Sequence, residues 1–159
     1  MNKRAVLQKI IARLRDELGV YFRAAQNSRA EATHEQSRAD NKYDTRGLEA
    51  SYLARGQSRQ AAELEAAIAE FQQLATRPLA ADHGIGIGAL VALQMDDETA
   101  LYFIGPRAGG TTITHAQHEI LVITPQSPLG AQLLGKMPGN RLKLDIAGRQ
   151  QRAQILSVW

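Results

Sequence analysis

The apolar residues of the chain change their period part-way along, and that change constrains the fold more than any other feature. Leu7, Ile10, Leu14, Leu18, Tyr21 and Ala25 recur at steps of three and four, the spacing of one stripe along an α-helix. Ala61, Leu64, Ile68, Phe71 and Ala75 repeat the rhythm. Both stripes are narrow, as in a coiled-coil seam. Antiparallel packing would set Leu7 near Ala75, Leu14 near Ile68 and Leu18 near Leu64, with the fold-back near residue 41. Arms of about 35 residues, rising roughly 1.5 Å each, would make a hairpin about 50 Å long. The seam fades beyond Ala25 and resumes near Ala61, so the stretch "ADNKYDTRGLEASYLARG" (39–56) serves little core of its own. The expected division is a helical hairpin over residues 1–76, with its tip near 38–47, and a second domain over 77–159.

After "ATRPLAADHGIGIG" the runs shorten. "ALVALQM", "ALYFIG", "EILVIT", "RLKLDI" and "AQILSVW" are rich in β-branched and aliphatic residues and are separated by "DDE", "PRAGG", "MPGN" and "AGRQ", which are turn signals. One amphipathic piece, "SPLGAQLLGK", interrupts them. Ser127 suits an N-cap, Pro128 the first helical position and Gly135 the exit. The expected fold is α+β: an antiparallel α-helical coiled-coil hairpin, then a compact antiparallel β domain with one short helix.

Several functions are excluded or disfavoured. The chain has no cysteine, so disulfides, thiolate metal sites and a cysteine nucleophile are absent. A net charge of +3 over 159 residues is too mild to demand a nucleic-acid partner. Charges at Lys9, Arg13, Arg15, Asp16 and Glu17 interrupt the only signal-peptide-like start, and no window approaches the ~20 apolar residues of a membrane span. A cytoplasmic protein with no membrane partner is expected. "HGIGIG" (83–88) has no lysine and leads into a strand, so it is a linker, not a phosphate loop. His115 and His118 have no third ligand in sight, which argues against a zinc site.

With these elements in place, the chain resembles the bacterial Gre-type transcript cleavage factors. The resemblance rests on Ser127, Pro128, Leu129, Gly130, Leu133, Leu134, Gly135 and Lys136, extends upstream through "GGTTITHAQHEILVITPQ", and follows the element order of nearly the whole chain. It implies an FKBP-like fold for the C-terminal domain, which docks on bacterial RNA polymerase, here through Ser127, Pro128 and Gly130. It also implies a hairpin tip inserted into the secondary channel toward the nascent RNA 3′ end, where acidic residues help hold a second Mg²⁺ and stimulate cleavage of backtracked RNA. Such a factor is accessory to the polymerase and is no enzyme by itself. Magnesium binds through one or two carboxylates, keeps several waters and clamps both oxygens of phosphoryl hydrolysis. Asp40, Asp44 and Glu49 are the acidic candidates, with Asp40 and Asp44 as metal ligands. Arg38, Lys42, Tyr43 and Arg46 are the candidate RNA or polymerase contacts.

In the family the tip carries an aspartate and a glutamate three residues apart, shortly before an alanine-x-tyrosine that stands here as Ala50, Ser51 and Tyr52. Here Thr45 and Leu48 fall on those two positions, and Asp44 and Glu49 lie five apart. The alternative is therefore a secondary-channel regulator without cleavage activity, of the DksA or Rnk type. The ordinary roles of the same residues are turn formation and capping for Asp40 and Asp44, a first-turn carboxylate for Glu49 and a solvated charged face for the cations. A prolyl isomerase is less favoured, because Tyr102, Phe103 and Trp159 are the only aromatic residues of the second half. A coiled-coil adaptor would dimerise through its stripes, whereas a closed hairpin is expected to be a monomer.

Overall fold

A computed structural model describes residues 1–33, 46–76, 84–95, 98–146 and 148–159. Helix α1 spans Lys3–Thr33 and α2 spans Arg46–Thr76, forming the N-terminal hairpin. The expected fold-back point near residue 41 lies outside the described residues. Asn2 caps α1: its side-chain oxygen accepts from the Ala5 amide at 3.1 Å.

The chain divides into two compact units, Arg13–Ile68 and Met1–Ala12 with Ala69–Trp159. In the first, Leu14, Ala25, Ala54, Ala61, Ala67 and Ile68 are buried, while Leu18, Tyr21 and Leu64 are half-buried. Alanines take the seam positions away from the helix ends, so burial per turn is small there.

In the second unit the ends of both helices belong with the sheet. Strands β1 (Leu90–Met95), β2 (Glu98–Ile104), β3 (Thr112–His115), β4 (His118–Ile123), β5 (Arg141–Ile146) and β6 (Arg149–Val158) form one sheet in the order β3-β4-β2-β1-β6-β5. Four neighbour pairings are antiparallel and β2–β4 is parallel, so the sheet is mixed. The parallel pair arises because the chain leaving β2 passes one strand position before turning back as β3, and β4 fills the gap. β3 is the strand that the apolar runs did not reveal. Its sequence is Thr-Ile-Thr-His, and only Ile113 is buried.

Strand alternation gives this unit two cores. Val91, Leu93, Tyr102, Ile104, Ile123, Leu144, Ala153 and Ile155 point to one face, where they meet Leu133 of the short helix α3 (Pro128–Leu133) and Ile85 of the incoming linker. Leu90, Ala92, Leu101, Phe103, Ile120 and Val122 alternate with them and are buried on the other face. There Phe71 of α2 lies 6.1 Å from Phe103 between ring centroids, Lys9 Nζ donates to Thr114 O at 2.8 Å, and Arg107 pairs with Glu70 at 2.6 Å. Covering on both faces explains why β1, β2 and β4 read as continuous apolar runs. It also widens the helical stripe near its ends: Val6, Ile11 and Leu74, outside the simple seam, are buried. No helix of the described residues is long and apolar enough to cross a membrane.

Candidate functional site

The motif that carried the resemblance folds as a rigid turn between β4 and α3. Ser127 sits in extended backbone (φ −68°, ψ 150°) at the N-cap. Its Oγ donates to Thr124 O at 2.7 Å and accepts from Gly130 N at 3.0 Å. Its amide donates to the same carbonyl at 3.0 Å. Pro128 occupies the first turn, where its missing N–H leaves no bond unmade.

Gly130 is fixed by space. A Cβ there would stand 2.0 Å from Thr124 O and 2.9 Å from Ser127 Oγ, so the close approach of helix and loop admits only glycine. At the other end, Gly135 (φ 73°) takes the left-handed exit. Its amide donates to Ile85 O at 2.8 Å, and Ile85 N donates to Lys136 O at 2.8 Å. A Cβ on Gly84 would meet Gly135 O at 2.5 Å, so the linker glycine lets the two backbones touch. Nothing in the local sequence marks this Gly84–Gly135 contact, which seats the linker against the motif.

Three sequence-derived docking residues thus differ in what they offer. Pro128 is exposed, Ser127 half-buried and Gly130 buried. Gln126, Leu134 and Met137 are exposed around them. The Ser127 hydroxyl is committed at both its donor and an acceptor position, and the turn holds no acid, base or metal-binding group. It can present a surface, but it supplies no chemistry.

Arg38, Asp40, Lys42, Tyr43 and Asp44 lie outside the described residues. Arg46 is the first residue of α2, and Glu49 is exposed in its first turn. The partial positive charge of a helix N-terminus favours a carboxylate at that position. His115 and His118 face each other across the β3–β4 hairpin, whose turn places Ala116 and Gln117 at φ 49° and 64°. Among the described residues no group of three His, Asp or Glu side chains stands together as a metal site.

No protein-family model matches the chain, and no curated protein matches it. Solved structures do. The chain is similar to Gfh1. The crystal structure of GreA factor homolog 1 (Gfh1) of Thermus thermophilus aligns over 98% of this chain and 94% of its own, at 21% identity and a TM-score of 0.39. Gfh1 of Thermus aquaticus aligns over 92% of each chain at 23% identity and a TM-score of 0.39. A further structure, of the transcription factor Gfh1, covers 98% of this chain and 92% of its own at 21% identity and a TM-score of 0.40. A likeness of this depth leaves the chemistry to this chain's own residues.

Proposed function

We propose that this chain is a transcription elongation factor that binds bacterial RNA polymerase through the C-terminal domain and places the segment between α1 and α2 in the secondary channel. The observation that carries the proposal is the Ser127–Gly130 turn. A serine cap, a first-turn proline and a glycine wedged against Thr124 O form one preset surface, in the sequence context that resembles Gre-type factors. The preceding pair of long helices and the mixed-sheet domain with its short helix α3 supply the element order that goes with it.

In this reading the chain is accessory and the polymerase performs the reaction. Asp40 and Asp44 would add carboxylate ligands to a Mg²⁺ shared with the polymerase active site, which positions water for hydrolysis of backtracked RNA. Arg38, Lys42 and Arg46 would meet RNA phosphates or the channel wall, with Tyr43 as a contact and Glu49 contributing charge at the start of α2. The five-residue separation of Asp44 and Glu49 favours one specific second reading, a channel-occupying regulator that binds without accelerating cleavage.

The test is retention of the chain by purified bacterial RNA polymerase, compared with Pro128→Asp. Aspartate is well accommodated in the first turn of a helix, so this variant alters the exposed surface and not the fold. Retention of the wild-type chain and at least about tenfold weaker binding of the variant is the expected result. Failure of the wild-type chain to bind would refute the proposal.

A further inference from the structure

The sheet carries a basic face that the proposed polymerase docking does not use. Leu142, Leu144, Ala153, Ile155 and Leu93 pack into the core beneath α3. Alternation therefore sends Arg141, Lys143, Arg152, Gln154 and Gln94 to the opposite face. These five residues, with Leu142 and Ala153, line an open groove of about 560 Å³. Register aligns them in two rungs: Arg141 opposite Gln154, which is opposite Gln94, and Lys143 directly opposite Arg152.

The second rung sets two cations on one face at a spacing of about 5 Å, an arrangement that disfavours the folded sheet. Edge protection accounts for charge on β5, because an edge strand guarded by lysine resists pairing with other chains. It does not account for Arg152, which lies on β6, a strand that is not at the edge of the sheet. Asp145 continues the same face of β5, but its Oδ1 accepts from Gly148 N at 3.0 Å within the β5–β6 turn.

The β5 edge supplies a second, independent observation. Gln132 of α3 clasps the backbone of Asp145: its Nε2 donates to Asp145 O at 3.1 Å, and its Oε1 accepts from Asp145 N at 2.9 Å. A side-chain amide thus takes the place of a neighbouring strand at that residue. The outward direction of Asp145 N–H and C=O means that those of Lys143 and Arg141, two and four residues away, also point outward. No partner for them is present among the described residues. Among the described residues the edge is closed at Asp145 and open beside the two cations.

We propose that this face binds an extended acidic segment of a partner protein, which adds a seventh strand beside Arg141–Lys143 and projects alternate carboxylates over Lys143, Arg152 and Arg141. Main-chain bonds along the open edge supply affinity, and the cationic rungs supply selectivity for acidic side chains. The Gln94 and Gln154 side-chain amides donate their N–H groups to the carboxylates that lie over the first rung. A single-stranded nucleic acid would need stacking platforms, and none of the lining residues is aromatic. The inference stands apart from the polymerase reading, since it uses none of the residues that reading assigns.

The experiment uses the full chain and a short labelled peptide alternating Glu and Val, with a Lys–Val peptide of equal length and a short single-stranded RNA as comparisons. Binding is followed by fluorescence anisotropy and amide exchange by NMR. The expected result is binding of the Glu–Val peptide alone, weakened about tenfold or more in Lys143→Glu and in Arg152→Glu. Both variants keep the far-ultraviolet circular dichroism of the parent. The peptide should also slow exchange of the Arg141 and Lys143 amides about tenfold, a readout that contact with charge alone would not give. Absence of peptide binding, equal binding by the variants, binding without protection of those two amides, or preference for the RNA would each overturn the proposal.

Discussion

Single residues set the geometry of the turn that carries the functional reading. Gly130→Ala drives a methyl group into Thr124 O, and relief requires the loop and α3 to separate, so a loss of about 3 kcal/mol is expected in urea unfolding. Ser127→Ala removes the cap and the hydroxyl's bond to Thr124 O and should cost about 1 kcal/mol. The order of the two penalties is the informative part, because a turn held by capping alone would reverse it. Tyr102 offers a test by pH. Burial raises its phenol above the ordinary value of 10.0, so the folded state resists ionisation that the unfolded chain allows. Its contribution is therefore complete below about pH 10 and is lost as pH rises beyond that toward the folded-state value. The stability difference between the wild-type chain and Tyr102→Phe should be constant at neutral pH and shift against the wild type above pH 10, as measured by urea midpoints at each pH.

Elements were legible wherever one periodicity ruled. The steps of three and four along α1 and α2 located Leu7, Ile10, Leu14, Ala25, Ala61, Ile68 and Phe71, all of them buried. They missed Val6, Ile11 and Leu74, because a helix that touches both its partner and a sheet buries a wider arc than a seam. The five apolar runs located β1, β2, β4, β5 and β6, and "SPLGAQLLGK" gave α3 with its cap. β3 escaped because an edge strand with a single buried side chain has almost no hydrophobic signature. The parallel β2–β4 pairing escaped with it. The Gln132 clasp on β5 was equally invisible, since a glutamine in a short helix carries no sign of the edge it covers. Its removal has a definite consequence: Gln132→Ala should cost about 1 kcal/mol for the lost bonds and should promote concentration-dependent association through the opened edge, detectable by light scattering.

At the scale of the whole molecule, the proposed chemistry and the folded core draw on different stretches of chain. The folded core draws on helix ends, linker, sheet and α3, and all of its determinants are packing residues. The acidic and basic candidates Arg38, Asp40, Lys42, Tyr43 and Asp44 lie outside the described residues, so that part of the functional reading rests on residue chemistry and resemblance. Sequence could nominate these side chains because the region between the helical stripes has little apolar surface to bury, leaving charge as its main content. It could not assign their partners, because the metal and RNA they are proposed to meet belong to another assembly. The most direct measurement is the length of RNA in a deliberately backtracked bacterial RNA polymerase complex, incubated alone, with the wild-type chain, with Asp40→Ala and with Asp44→Ala. The expected result is faster shortening with the wild-type chain and loss of that acceleration in at least one variant, while binding persists. Retention of the wild-type chain without faster shortening would contradict cleavage stimulation, and failure of the polymerase to retain it would contradict the functional reading as a whole.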